Sequence, residues 1–155
     1  MHSERPIGIA GAGSIGCFVG GMLAAGGRRV ALLARPRVIG EIEAHGLRLT
    51  SFDGIDRHLA ANQFTLSENP GAFADAAVAL VTVKSADTAG MAEIIARHAP
   101  ADAVIVSLQN GVGNAALLRE KLPGRRVLGG MVPYNVIAPG RGRYFCAPPL
   151  STSAT

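Results

Sequence analysis

The sequence predicts an α/β protein whose central sheet is doubly wound and mostly parallel. Short apolar runs rich in β-branched residues alternate along the chain with segments of helical character. Of the 155 residues, 48% are hydrophobic and only 17% are charged, which suits strands that are covered by helices on both faces. An alternation of this kind places right-handed helical crossovers between neighbouring parallel strands.

The segment that organises this fold is Ile7 to Gly16, IGIAGAGSIG, with an apolar helix following over Cys17 to Ala25. Strand, glycine turn and helix in this order are typical of a dinucleotide site. The first glycine allows a tight turn, the second lets the backbone approach a pyrophosphate, and the third lets the helix pack closely. The helix N-terminus then offers free N–H groups to the anion. The alternative, a plain strand-to-helix connection, is disfavoured by a matching second strand at Arg29 to Ala34. The residues predicted to bind the cofactor here are Gly11, Ala12, Gly13, Ser14, Ile15 and Gly16.

The next part of the chain predicts a helix and a hairpin. Pro36 can begin a helix that runs to His45, which we interpret as a helix-end residue. Leu47 to Thr50 alternates apolar and polar residues like a short strand. Ile55 to Ala61 could pair beside it through a turn at Asp53-Gly54.

Five further elements continue the alternation. They are strands at Val78 to Val83, Ala103 to Leu108 and Val127 to Val132, and helices at Thr88 to His98 and Val112 to Leu122. The strands are nearly continuous apolar runs, as expected of the buried centre of a parallel sheet. Together with the glycine turn they predict a Rossmann-like NAD(P)-binding domain.

Composition argues against several other classes of protein. The net charge of +4 comes from scattered arginines, and no nucleic-acid-binding motif accompanies them. No apolar run reaches the roughly 20 residues that span a bilayer, and no secretory signal pattern is visible. Cys17 and Cys146 lie far apart without a second metal ligand near either. We therefore expect a cytoplasmic protein with packed thiols, no metal and a small anionic ligand rather than nucleic acid or membrane.

Arg35 bears on the choice of cofactor. It lies about 20 residues after Gly16, where an NAD site would place an acidic residue on the ribose hydroxyls. A guanidinium instead offers a 2′-phosphate forked, charge-assisted hydrogen bonds. This favours NADP over NAD, with Arg37 as a possible helper. The alternative is a surface arginine paired with Glu41, which is favoured over a cofactor role for Arg37 but not for Arg35.

Lys84 and Asn110 follow two of the predicted strands and would lie at the carboxyl edge of the sheet, where ligands bind. Lys84 precedes a helix start, a place that disfavours a cation unless an anion is close. That anion is either Asp87 or the cofactor and substrate. Asn110 belongs to an Asn-Gly pair, which suits a tight turn as well as a ligand contact.

Taken together, five motifs resemble the amino-terminal domain of ketopantoate reductase (2-dehydropantoate 2-reductase), over nearly all of the chain up to about Phe145. They are GAGSIG at Gly11 to Gly16, LLAR ending at Arg35, VTVKS around Lys84, LQNGVG around Asn110 and GGMVPYNV at Gly129 to Val136. The resemblance implies NADPH-dependent reduction of a 2-oxo acid to a 2-hydroxy acid, in pantothenate and coenzyme A biosynthesis. It implies that the glycine turn holds the pyrophosphate and Arg35 the 2′-phosphate. Lys84 and Asn110 would contact both cofactor and substrate.

The chain departs from that family after the predicted sheet. Family members continue into a helical domain that supplies the general-acid lysine and most of the substrate pocket, whereas no lysine or histidine follows Lys121 here. We therefore assign no catalytic residue. We expect a cofactor domain over residues 1–138 and an irregular tail over 139–155, rich in Gly, Pro, Ser and Thr. The sequence leaves open a natural truncation, a frameshift or a gene fragment.

Two hypotheses about activity remain. The first is a reductase that is complete only with a helical domain. The second is a noncatalytic NADP-binding module or an inactive fragment. In either case the missing domain would leave apolar surface exposed, so we expect self-association.

Overall fold

The computed structural model describes residues 4–148, in which ten strands form two sheets. The strands are β1 (Ile7–Ala10), β2 (Val30–Leu33), β3 (Leu47–Ser51), β4 (Asp56–Leu59), β5 (Thr65–Ser67), β6 (Val78–Val81), β7 (Val104–Ser107), β8 (Val127–Gly129), β9 (Asn135–Gly140) and β10 (Arg143–Ala147). The helices are α1 (Ser14–Ala25), α2 (Pro36–His45), α3 (Thr88–His98) and α4 (Asn114–Lys121), with 3-10 turns at Ala61–Gln63, Pro70–Phe73 and Ser85–Asp87.

The larger sheet has six parallel strands in the order β5-β2-β1-β6-β7-β8. This is the doubly wound order of a dinucleotide-binding fold, and it confirms the predicted fold class. The strand order reverses between β1 and β6, since β2 lies on one side of β1 and β6 on the other. A crevice for a ligand is therefore expected at the carboxyl ends of these two strands.

The core lies on both faces of this sheet because successive strand side chains point in opposite directions. Ile9 is fully buried on one face, in a cluster that includes Phe18 of α1. Its neighbour Ala10 is fully buried on the other, in a cluster with Ile95 of α3 and Leu118 of α4. Coverage of both faces explains why the central strands read as unbroken apolar runs.

The smaller sheet has the order β4-β3-β10-β9 and packs against α1. The predicted hairpin is confirmed, with β3 antiparallel to β4. A side chain on Gly21 of α1 would approach Leu47 and Leu49 of β3 to 2.7 Å, so a glycine here lets helix and sheet meet closely.

The prediction of an irregular tail from residue 139 is wrong for the part that the structure describes. β9 runs across that boundary to Gly140, and β10 pairs in parallel with β3 and antiparallel with β9. Tyr144 and Cys146 of β10 are buried in the same hydrophobic cluster as Cys17 and Phe18 of α1. Residues 143–147 thus belong to this folded unit, while residues 149–155 lie outside the described part.

Several element boundaries also differ from the predictions. β5, at the edge beside β2, has only three residues and was not predicted. α4 begins at Asn114 rather than Val112, because Gly113 has a left-handed φ of 94° that breaks the helix. β8 ends at Gly129 rather than at residue 132.

Both cysteines are free and buried, as predicted. Burial raises the pKa of the Cys17 thiol to about 11, so the reactive thiolate is scarce at neutral pH. Across residues 4–148, the structure contains no helix with the length and apolar character needed to cross a membrane.

Candidate functional site

The glycine turn between β1 and α1 leaves the helix start open. Gly11 has a φ of 108°, and a side chain there would collide with Val83. A side chain on Gly16 would meet the Gly11 carbonyl oxygen, which already accepts a 2.6 Å hydrogen bond from Thr82 Oγ1. Gly13 is different, because it is exposed and nothing lies within 4 Å of the place where its Cβ would be. Two glycines therefore serve packing, and the middle one faces open space.

The N-terminus of α1 has the electrostatics of an anion site. The first N–H groups of a helix have no intrahelical acceptor. No side chain caps α1, and its first turn holds no acidic residue. Unpaired N–H groups and the positive end of the helix dipole therefore face the open space at Gly13. These features fit the pyrophosphate of a dinucleotide.

Arg35 lies two residues after the end of β2, at the carboxyl edge of the sheet, and is the N-cap residue of α2 in extended backbone. Its side chain is exposed, and within residues 4–148 its guanidinium forms neither an ion pair nor a hydrogen bond. The alternative pairing with Glu41 is absent, because Glu41 binds Arg37 at 2.9 Å instead. Arg37 thus occupies the surface role, and Arg35 presents a free guanidinium.

Lys84 and Asn110 lie beyond the carboxyl ends of β6 and β7, which are neighbours in the sheet. Lys84 is exposed in extended backbone before a 3-10 turn, and the alternative ion pair with Asp87 is not formed. The Asn110 side chain is exposed too, whereas its carbonyl accepts a 3.1 Å hydrogen bond from Ser85 Oγ. The structure therefore brings both predicted residues to the same edge, on the opposite side of β1 from Arg35.

Sequence reasoning missed a cluster of buried and partly buried polar side chains next to these two residues. The Thr88 hydroxyl hydrogen-bonds to both Gln109 and Asn114, and these two amides also donate to the adjoining backbone. Thr88 and Asn114 start α3 and α4, where a polar residue is usually interpreted as a helix cap. Apart from the bond of Asn114 to the Asn110 carbonyl, their hydrogen-bond partners are more than 20 residues away in sequence. The sequence signal was therefore limited to three amide and hydroxyl side chains close to Lys84 and Asn110.

Residues 7–152 match the protein family described as Ketopantoate reductase PanE/ApbA. The chain belongs to the ketopantoate reductase family. A curated 2-dehydropantoate 2-reductase from Halobacterium salinarum is 38% identical over 128 residues, covering 82% of this chain and 41% of the relative. Another, from Pyrococcus horikoshii, is 37% identical over 130 residues, covering 83% and 40%. Among solved structures, a ketopantoate reductase from Ralstonia eutropha JMP134 superposes with a TM-score of 0.82 at 37% identity, covering 91% of this chain and 46% of that one.

This chain thus spans about 40% of the length of the curated ketopantoate reductases that it matches. The relatives are oxidoreductases by name, and membership of this family with a Rossmann-like fold implies a nicotinamide cofactor. The glycine turn, the free guanidinium and the two polar side chains on the other side of β1 fit such a molecule lying across the strand-order reversal.

Exposed apolar side chains lie beside the site. Val112 is fully exposed in the loop after β7, and Met131, just after β8, is 83% exposed. Leu128 of the edge strand β8 is half exposed. Exposed apolar groups of this kind favour association with another apolar surface.

We predict that the chain self-associates through these exposed side chains. In sedimentation at rising concentration we expect dimers or larger species, and Met131→Ser combined with Val112→Ser should shift the distribution toward monomer. Phe52→Ser, at an exposed position in the turn between β3 and β4, is the control. A monomeric wild-type chain at all concentrations would contradict the prediction.

Proposed function

We propose that this chain binds NADPH and forms the cofactor-binding half of a cytoplasmic reductase that converts 2-dehydropantoate, a 2-oxo acid, into pantoate. The observation that carries the choice of NADPH is the free guanidinium of Arg35 at the carboxyl end of β2. Family membership and the names of the relatives support the reaction.

The adenosine half of the cofactor would lie on the β2 side of β1. Gly13 would let the backbone approach the pyrophosphate, and the first N–H groups of α1 would bind it. Arg35 would donate forked hydrogen bonds to the 2′-phosphate of NADPH. No carboxylate pairs with this guanidinium in the described residues, so nothing competes with the phosphate.

The nicotinamide half would lie on the β6 and β7 side, next to Lys84 and Asn110, which follow these two strands. When bound, the cofactor supplies the hydride that reduces the ketone. The Lys84 ammonium would bind the carboxylate or the developing oxyanion of the substrate, and the Asn110 amide would orient the ring or the substrate. A separate proton donor is required by the reaction, and the proposal assigns none among the residues of this chain.

The test is oxidation of NADPH by 2-dehydropantoate, followed by absorbance. We mix the chain with the separately produced remainder of the Halobacterium salinarum relative, the part that this chain does not match. We expect turnover in the mixture, and Lys84→Ala should lower its rate by about a hundredfold or more, the scale of a lost oxyanion donor. Lys121→Ala, at the end of α4 and away from the carboxyl edge, should leave the rate unchanged. Tight NADPH binding without turnover in either the chain or the mixture would instead favour a noncatalytic NADP-binding module.

A further inference from the structure

A buried polar network joins the segment that carries Lys84 to the segment that carries Asn110. Thr88 at the start of α3 is 0% exposed, and Ser107 of β7 and Asn114 of α4 are also buried. A buried polar group without a partner is costly, so such groups are tolerated when hydrogen-bonded. In the described residues no buried side-chain oxygen or nitrogen is left without a partner.

The Gln109 side chain forms one half of this network. Its Nε2 donates to the Val83 carbonyl at 3.0 Å and to Thr88 Oγ1 at 2.7 Å. Its Oε1 accepts from Ser107 Oγ at 3.0 Å. A flipped amide would set Oε1 against the Val83 carbonyl oxygen, so only one orientation satisfies all three partners.

The Asn114 side chain forms the other half. Its Nδ2 donates to the Asn110 carbonyl at 2.9 Å and to Ser85 Oγ at 3.0 Å, while its Oδ1 accepts from Thr88 Oγ1 at 3.3 Å. Ser85 Oγ donates in turn to the same Asn110 carbonyl. The residue next to Lys84 is thus tied directly to the backbone of Asn110.

Thr88 is the link between the two halves, because its hydroxyl accepts from Gln109 and donates to Asn114. Every amide and hydroxyl hydrogen in the network is used once and in one direction. Such a network permits a single arrangement of the two segments. The side chains of Lys84 and Asn110 are themselves exposed, so the network fixes their positions only through the backbone.

We propose that Thr88, with Gln109 and Asn114, is a positioning residue that fixes Lys84 relative to Asn110, so that both meet the nicotinamide half of the cofactor and the substrate. This inference rests on the proposed function. Thr88, Gln109 and Asn114 would touch neither cofactor nor substrate, and would act through Lys84 and Asn110. None of its hydrogen bonds reaches Arg35 or the glycine turn, so we expect the adenosine side to bind independently of the network.

Two substitutions at Thr88 test the inference. Thr88→Val keeps the shape of the side chain but removes the hydroxyl, whereas Thr88→Ser keeps the hydroxyl. Calorimetry would compare NADPH with 2′,5′-ADP, which has the adenosine and the 2′-phosphate but no nicotinamide. We expect Thr88→Val to weaken NADPH binding about tenfold, because it removes the hydroxyl's two hydrogen bonds and leaves their polar partners unpaired. Binding of 2′,5′-ADP should stay unchanged, and Thr88→Ser should bind both ligands as the wild type does.

A purely structural role would lower the affinity for both ligands together, and that result, or unchanged NADPH binding, would overturn the inference. Binding of neither ligand by the wild type would instead refute the proposed function. Amide hydrogen exchange of the unliganded protein tests the inference without any ligand. In Thr88→Val, but not in Thr88→Ser, the amides of residues 84–88 and 109–114 should exchange faster together, and unchanged rates would overturn it.

Discussion

Replacing Arg35 with alanine is expected to weaken NADPH binding roughly tenfold or more and to leave NADH binding unchanged. Hydrogen bonds to charged groups contribute about 1.5 to 3 kcal/mol, and the guanidinium is exposed, so the lower end of that range applies. NADH lacks the 2′-phosphate and has nothing to lose at this position. Calorimetric titration of both cofactors into wild type and variant measures the effect.

Arg37→Ala is the matched control for this prediction. Arg37 lies two residues further along, is exposed and forms an ion pair with Glu41. Its removal should change neither cofactor's affinity by more than about twofold, because an exposed pair of this kind contributes little. Should Arg37→Ala and Arg35→Ala weaken NADPH equally, the 2′-phosphate would be held by diffuse positive charge rather than by Arg35.

The second large effect is expected at the glycine turn. Gly16→Ala would place a methyl group against the Gly11 carbonyl oxygen, with Thr82 Oγ1 at 2.8 Å and Ile9 Cγ2 at 3.0 Å. Because one of these atoms is backbone and the others are packed, the free energy of unfolding should fall by about 1 to 3 kcal/mol. Binding of NADPH and NADH should be lost together. Urea denaturation and titration of the folded variant give the two quantities.

Gly13→Ala separates binding from packing at the same turn. Gly13 has ordinary extended backbone and nothing within 4 Å of its Cβ position, so the free energy of unfolding should change by less than about 0.5 kcal/mol. A methyl group there would occupy the space through which the backbone approaches a pyrophosphate. Both cofactors should therefore bind more weakly by the same factor. If Gly13→Ala binds them normally, the pyrophosphate does not lie at this turn.

The fold could be predicted where the governing physics is local. Ile7–Ala10 reads as a strand, and the glycines after it permit the turn and the close helix, because each of these steps depends on neighbouring residues alone. The common edge of Lys84 and Asn110 followed as well, since parallel strands with helical crossovers end on the same side. The free state of the Arg35 guanidinium also followed from a local contact, because Glu41 binds Arg37, which lies four residues before it in α2.

Pairings between distant parts of the chain could not be predicted. β10 lies beside β3, which precedes it by more than 90 residues. Gly140 and Gly142 lie in the turn between β9 and β10, and glycines at this spacing make the segment resemble a loop rather than a strand. The alternation of burial at Tyr144 and Cys146 is a strand signal, but only the partner strand and α1 explain it. The network of Thr88 depends in the same way on contacts across two loops.

The proposed function requires that this chain carries an NADPH site of its own. The most direct test is titration of the purified wild-type chain with NADPH and with NADH, followed by the fluorescence of the reduced nicotinamide; with no tryptophan in the chain, protein emission interferes little. We predict saturable binding of both, with NADPH at least tenfold tighter, as one charge-assisted contact to the 2′-phosphate requires. Equal affinities, or binding of neither cofactor by the folded chain, would contradict the claim.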